Sequence, residues 1–407
     1  MKTVLVVDDD PDIILMMRAI LGKAGYHVLG ETNSLLVMER LEQEPIDCIL
    51  LDIMMPGMDG LQLCQLIRGR SEWDSIKVVM VSAKPYDFDR QRALQFGADA
   101  YFVKPIEPRL FLEGLERLFQ DAVQLCFWGV RGTLPIPGPH SIQYGGNTNC
   151  ITMHLTKGPL FVFDAGTGIK TFSDHLLATK TFPVIAKILL SHPHWDHING
   201  LPFFVPLYIK GNDVEICCGS QQGISTRKMI SDQMDGVYFP IKIKEFSARV
   251  YFRDLQEETW EVGHGAKVST MLLNHPGTCL GYRIDYGRRK IAYITDHELH
   301  PATSPYHNPA YEKKLIRFVE QADVLIMDAT FNEAQYVQKS GWGHSTARQA
   351  ALLAHLAQVK TLCLHHHDPD QRDEDITVKL EEACVHLQEL RSTTRCVAPR
   401  EGEIITV

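Results

Sequence analysis

SHPHWDHING, residues 191–200, sets three histidines and an aspartate within six positions, directly after the apolar run VIAKILL at 184–190. The run reads as a buried strand, so the histidines lie on a loop at its carboxyl end. Alternation brings His192 and His194 to one side, where two imidazoles can bind one ion. Asp196 and His197 fall at the following bend, where they can bind a second. The small Gly200 and the apolar LPFF are expected to continue into a helix. Nitrogen and carboxylate ligands at this density suit zinc first, with manganese or iron as alternatives. Later strand ends offer further ligands: LLNHPG carries His275, YITDHE carries Asp296, and LCLHHHDPD carries His365, His366 and His367.

The chain around this motif has 407 residues, more than one core usually accommodates, so two or three domains are expected. It is 45% hydrophobic and 22% charged, with no apolar run long enough to span a bilayer. The start MKTVLVVDDDPD meets acids within ten residues and lacks the pattern of a signal peptide, which implies a cytoplasmic protein. Ten scattered cysteines without a CxxC pair suit reduced thiols. Residues 1–121 carry 13 basic and 20 acidic side chains and the remainder 28 and 30. Neither part has the basic excess of a protein that grips long nucleic acid, and no DNA-binding domain is expected.

Residues 1–121 alternate apolar strands (TVLVVD, DCILLD, KVVMVSA, AYFVK) with amphipathic helices beginning near Asp12, Leu35, Leu61, Phe88 and Pro108. That rhythm predicts a doubly wound parallel α/β sheet whose carboxyl edge carries the active groups. Asp8, Asp9 and Asp52 end two of these strands, and three carboxylates there suit a hard cation such as magnesium. The motifs VVDDDP, LLDIMMPGMDG, VSA and FVKP resemble those of the receiver domain of two-component response regulators, a five-stranded parallel fold. The resemblance implies that Asp52 accepts a phosphoryl group, that Asp8, Asp9 and Asp52 hold magnesium, that Ser82 and Lys104 contact the phosphoryl group, and that Tyr101 is the aromatic switch residue. It implies a sensor histidine kinase or phosphotransfer protein as partner, and a homodimer is one possible assembly.

The helical PRLFLEGLERLFQDA runs almost directly into VQLCFWGV, so residues 122–407 are expected to follow without a loose tether. There HPHWDH, His275, Asp296 and the histidine cluster resemble the metallo-β-lactamase-fold hydrolases, an αβ/βα sandwich. The resemblance implies one metal on His192, His194 and His275 and another on Asp196, His197 and His366, with Asp296 bridging. Strand alternation and the family pattern favour His366 among the three adjacent histidines. Asp164 in FDAGTGI would orient a metal-binding histidine, and GVRGTLPIPG with YGGNTNC resembles the start of the phosphodiesterase-like branch.

Several reactions share such a cage. An aspartate at 296, where β-lactamases of this fold have cysteine, points to a fully bridged ion pair and to phosphoesters. MDATF and GWGHSTARQAA resemble motifs of the tRNA 3′-processing endonucleases, in which an acid and a histidine act together, although those enzymes carry glutamate where Asp328 stands. Asp196, Asp328 and His344 are therefore the candidate catalytic residues. No glycine-rich tRNA-gripping arm lies in 205–273, so a small phosphodiester such as a cyclic nucleotide is expected. Lactone or thioester hydrolysis, RNA processing, and iron redox or sensing chemistry are the alternatives.

Overall fold

The structure, a computed structural model, describes residues 2–73, 76–83, 87–119, 122–237 and 239–407. Its two compact units are Met1–Asp121 with Gly263–Gly265, and Ala122–Val262 with Ala266–Val407. Gln120 and Asp121, at the expected junction, lie outside the described residues.

In the first unit β1 (Thr3–Val7), β2 (His27–Glu31), β3 (Cys48–Asp52), β4 (Lys77–Ser82) and β5 (Ala100–Val103) pair throughout in parallel, in the order β2-β1-β3-β4-β5. Both faces of the central strands are covered: Leu5, Ile49 and Met80 enter one apolar cluster, while Val6, Leu50 and Val79 enter the opposite one. This is why those strands read as unbroken apolar runs. β2 does not announce itself, because HVLGE is an edge strand with no fully buried residue. The strand order reverses between β1 and β3, and their carboxyl ends bring Asp8 and Asp52 to the same crevice.

The second unit contains two mixed sheets. Its strands are β6 (Val123–Gly129), β7 (Cys150–Leu155), β8 (Leu160–Phe163), β9 (Ile185–Leu189), β10 (Asp213–Gly219), β11 (Arg249–Leu255), β12 (Thr259–Gly263), β13 (Ala266–Leu272), β14 (Leu280–Tyr286), β15 (Arg289–Ile294), β16 (Val324–Asp328), β17 (Thr361–His365), β18 (Arg395–Val397) and β19 (Ile404–Thr406). One sheet runs β11-β10-β9-β8-β7-β6-β19 and the other β12-β13-β14-β15-β16-β17-β18. Phe127, Ile151 and Phe161 of the first meet Val268, Tyr282 and Ile326 of the second in one core. Helix Gly168–Thr179 covers the first sheet through Ile169 and Phe172, and helix Ala347–Leu356 lies on β16 and β17. The result is the helix-sheet-sheet-helix sandwich.

Two local expectations are corrected. LPFF does not continue into a helix: a short 3₁₀ turn, Leu201–Phe203, is followed by a second, Val205–Tyr208. Pro202 and Pro206 lack the N–H that a continuing helix would need. Asp196 and His197 lie not on a simple bend but on a single helical turn, Trp195–Ile198.

The strand ends that converge are conformationally special. Asp164, Asp296 and His366 adopt φ of 57°, 47° and 60°, the left-handed region that non-glycine residues seldom occupy. Each follows β8, β15 or β17 by one or two residues, so the turn redirects its side chain to the same edge of the sandwich.

Candidate metal centre

Three groups of donor atoms lie at that edge, each with all its atoms within 4.8 Å of one another: His192, His194, His275 and Asp296; Asp196, His197 and His366; and Asp296, His344 and His366. Asp296 faces the first two. Its Oδ1 is 3.2 Å from His197 Nε2 and 3.1 Å from His366 Nε2, while Oδ2 is 3.7 Å from His192 Nε2 and 3.8 Å from His275 Nε2.

Four of these imidazoles are tied by one nitrogen to a neighbour outside the cluster. His192 Nδ1 is 3.0 Å from Ser191 Oγ, His197 Nδ1 is 2.8 Å from Asp164 Oδ2, His275 Nδ1 donates to Gly343 O at 3.1 Å, and His366 Nδ1 is 2.9 Å from Thr330 Oγ1. The Nε2 atoms are thereby turned inward. Asp164 is held in turn by Ser191 N at 2.7 Å and by the Tyr293 hydroxyl at 2.7 Å. Asp196 Oδ2 accepts from Thr133 N at 2.7 Å, which anchors the GVRGTLP loop over the site. Gly132 in that loop has no alternative, since a Cβ would overlap the His366 ring.

Electrostatics agree with a cation site. Burial lowers the pKa of His192, His194 and His275, leaving them neutral with lone pairs to offer. Burial opposes charge on His197 as well, but Asp196, Asp296 and Asp164 surround it and raise it well above the ordinary imidazole value. Inward-facing neutral imidazoles interleaved with carboxylates form a donor set that fits divalent transition ions.

Of the three adjacent histidines only His366 turns a ring nitrogen into the cluster. His365 Nδ1 accepts from His366 N at 2.8 Å, and His367 Nδ1 is 3.2 Å from Lys379 Nζ. His297, next to Asp296, accepts at Nδ1 from Asn274 N at 3.0 Å.

Beside the cluster, His344 Nδ1 lies 2.7 Å from Asp328 Oδ2, and its ring stacks on His366 with centroids 4.9 Å apart. Asp328 is fully buried and also accepts from His297 N, Thr330 N and Ser345 N. Burial alone would lower His344, but the charge of Asp328 and the hydrogen bond to it prevail and lift it to about 9. Thr346, not His344, caps helix Ala347–Leu356 by accepting from Gln349 N.

Glu298 was not among the residues expected at the site. Its carboxylate accepts from Gly341 N at 2.8 Å, Gly343 N at 2.9 Å and the Tyr336 hydroxyl at 3.0 Å. It thus pins the loop that supplies His344 and the carbonyl partner of His275. Its only sequence signal is an acid two residues after Asp296.

In the first unit Lys104 Nζ is 2.7 Å from Asp8 Oδ2 and 2.8 Å from Asp52 Oδ1, and Lys104 N donates to Ser82 O at 2.8 Å. Among the described residues, Asp8, Asp9 and Asp52 do not gather their oxygens as closely as the other cluster, and Asp9 is exposed. Tyr101 is half-buried on β5 against the core.

Both units match known protein families. Residues 4–116 match the response regulator receiver domain, and residues 160–367, more than half of the chain, match the β-lactamase superfamily domain. The chain belongs to the β-lactamase superfamily and carries a response regulator receiver domain ahead of that fold. It is 34% identical over 108 residues to the alkaline phosphatase synthesis transcriptional regulatory protein PhoP of Bacillus subtilis, covering 26% of this chain and 44% of that one. It is 41% identical over 106 residues to the transcriptional regulatory protein BaeR of Escherichia coli, covering 26% and 43%. The chain spans about half the length of the curated relatives it matches. Among solved structures, the metallo-β-lactamase fold protein YhfI of Bacillus subtilis aligns with 71% of this chain and 100% of its own at a TM-score of 0.50 and 18% identity, a likeness of fold. Membership of the β-lactamase superfamily, together with the donor cluster, points to a metal-dependent hydrolase.

Proposed function

We propose that this chain is a response regulator in which phosphorylation of Asp52, in a receiver domain of residues 1–121, controls a dinuclear metal-dependent phosphodiesterase of residues 122–407. The observation that carries the reading is the His344–Asp328 pair, 2.7 Å apart and stacked against His366. His192, His194, His275, Asp196, His197 and His366, with Asp296 between them, would hold two ions, zinc first and otherwise manganese or iron. Such ions supply Lewis-acid charge for a phosphoryl oxygen and acidify water. Asp328 fixes the imidazole of His344 and favours its protonated form, so that Nε2 can give a proton to the departing alkoxide. An alkoxide is a poor leaving group, so a diester of an ordinary alcohol needs that proton, and the pair supports this reading.

The substrate is a small diester such as a cyclic nucleotide, since 28 basic against 30 acidic residues beyond 121 give no excess charge for a long RNA. A sensor kinase or phosphotransfer protein in the cytoplasm would supply the phosphoryl group, with magnesium at Asp8, Asp9 and Asp52. The phosphoryl oxygens would draw Lys104 and Ser82 and bias Tyr101.

The test is turnover of bis(p-nitrophenyl) phosphate and a panel of cyclic nucleotides by the full chain reconstituted with zinc, manganese or iron. At least one diester is cleaved, and His344→Ala slows about 100-fold the cleavage of a diester that expels an alkoxide, with a smaller effect on bis(p-nitrophenyl) phosphate, whose p-nitrophenolate needs no proton. Two bound ions with no diester cleaved would overturn the reading. Cleavage of a lactone or thioester that His344→Ala leaves untouched moves it to ester hydrolysis.

A further inference from the structure

Helix Asp373–Glu389 buries a lysine under the metal centre. Lys379 is 1% exposed, and its Nζ donates to Ala329 O at 2.5 Å and Thr330 O at 3.1 Å and lies 3.2 Å from His367 Nδ1. We propose that Lys379 is a positioning residue, which ties the ends of β16 and β17 together so that His366 meets its ion and Asp328 meets His344. The inference rests on the metal centre of the proposed function and deepens it.

Three observations carry it. The first is where the acceptors lie. β16 and β17 pair as far as Asp328 and His365, and Ala329 N donates to His365 O at 2.9 Å as the last rung. Ala329 and Thr330 follow Asp328, and His367 follows His366, so one amino group spans both strand ends where the ladder stops.

The second is what those acceptors control. Thr330 Oγ1 donates to His366 O at 2.7 Å and lies 2.9 Å from both His366 Nδ1 and Asp328 Oδ1. A shift of the Thr330 backbone therefore disturbs the His366 ring and the Asp328 carboxylate together. Gln371 Nε2 also donates to Thr330 O, at 2.9 Å, so the distinct contribution of the lysine is to join that carbonyl to Ala329 and His367.

The third is cost. An ammonium leaves water unfavourably unless it is paired, and the groups that Nζ touches are two carbonyls and an imidazole, not a carboxylate. Burial lowers its pKa to about 7, against the charges of Asp328 and Asp368, which raise it. The two carbonyl bonds hold in either state, because an amine still has two hydrogens to give. A methionine would fill much the same space without that cost, so what the amino group adds is the tie between strand ends.

The experiment is competition between the full chain and a chromophoric chelator for zinc, which gives a dissociation constant for each ion. Lys379→Met should weaken about tenfold or more the ion that His366→Ala loses, and leave the other unchanged. Lys379→Gln, which keeps an N–H donor, should recover part of that affinity. Leu387→Ala opens a cavity beneath the same helix and should leave both constants unchanged. Thr330→Val should weaken the same ion, and adding Lys379→Met to it should cost less than Lys379→Met costs alone, because the lysine acts through Thr330.

Both ions held by Lys379→Met as tightly as by the unmodified chain overturn the proposal, as does an equal loss of both ions in Lys379→Met and Leu387→Ala. If Lys379→Met does not fold, Lys379→Gln decides: a weaker hold on that ion alone supports the proposal and unchanged binding overturns it. Selective weakening with no diester cleaved leaves the role of Lys379 standing and removes the reaction. A diester cleaved by a chain whose Lys379→Met binds both ions normally does the reverse.

Discussion

His344 and Asp328 form a buried ion pair, Nδ1 to Oδ2 at 2.7 Å, at the margin of a cluster of five other histidines and two aspartates. The pair sets a pH dependence. His344 titrates at about 9, raised from 6.5 by Asp328 against the effect of burial. If its protonated form serves the leaving group, kcat stays high below about pH 9 and declines as the proton is lost above it. Asp328→Asn removes the charge that raises the imidazole, so the descending limb should move toward 6.5 and kcat at neutral pH should fall about 100-fold. A pH–rate profile of both proteins checks this, and an unmoved limb would reassign the group.

Among the three consecutive histidines, metal counting should single out His366. Its Nε2 is 3.2 Å from Asp196 Oδ2, whereas His365 and His367 are engaged by a backbone N–H and by Lys379. His366→Ala should bind one ion fewer per chain by elemental analysis. His365→Ala and His367→Ala should retain both ions but lose about 1–3 kcal/mol of stability in denaturant titration, because each breaks a buried hydrogen bond.

Glu298 offers a test of indirect positioning. With Gly341, Gly343 and Tyr336 as donors, its buried carboxylate holds the loop from which His344 projects. Glu298→Gln turns one acceptor into a donor facing those N–H groups. Turnover should fall about tenfold or more with metal content retained, and stability by about 1–3 kcal/mol. Glu298→Asp, which keeps both acceptors, should recover part of the rate. Equal rates in all three proteins would show that the loop holds itself.

Much of this fold could be read from the chain because its strands end on chemistry. CILLD, LFVFD and VLIMD are apolar runs closed by an aspartate, and parallel pairing buries the run while delivering the acid to one edge. HPHWDH was legible for the same reason. Partners chosen by tertiary placement were not: Glu298 meets Gly341 across 43 residues and Thr330 meets His366 across 36, with nothing local to mark either. Edge strands such as HVLGE escaped because half-exposure blurs the apolar pattern. The turns after Gly200 escaped because proline spacing, not hydrophobicity, decided them.

In the receiver domain, Lys104 reaches Asp8 and Asp52 at 2.7 and 2.8 Å with both carboxylates nearly buried. Burial pushes the Asp52 carboxyl above its ordinary value even so, and the two carboxylates raise Lys104 against its own burial. Removing the ammonium leaves two like charges facing each other in a poorly solvated crevice. Lys104→Ala should therefore destabilise the domain by about 2 kcal/mol, less than a fully buried pair would lose because the lysine is 21% exposed. A divalent cation can replace the missing charge, so millimolar magnesium should raise the Tm of Lys104→Ala by more than it raises that of the unmodified chain. Acetyl phosphate with magnesium should still label Lys104→Ala at Asp52, and Asp52→Asn should not be labelled. An equal magnesium response in the two proteins would mean that the cation does not bind between these carboxylates.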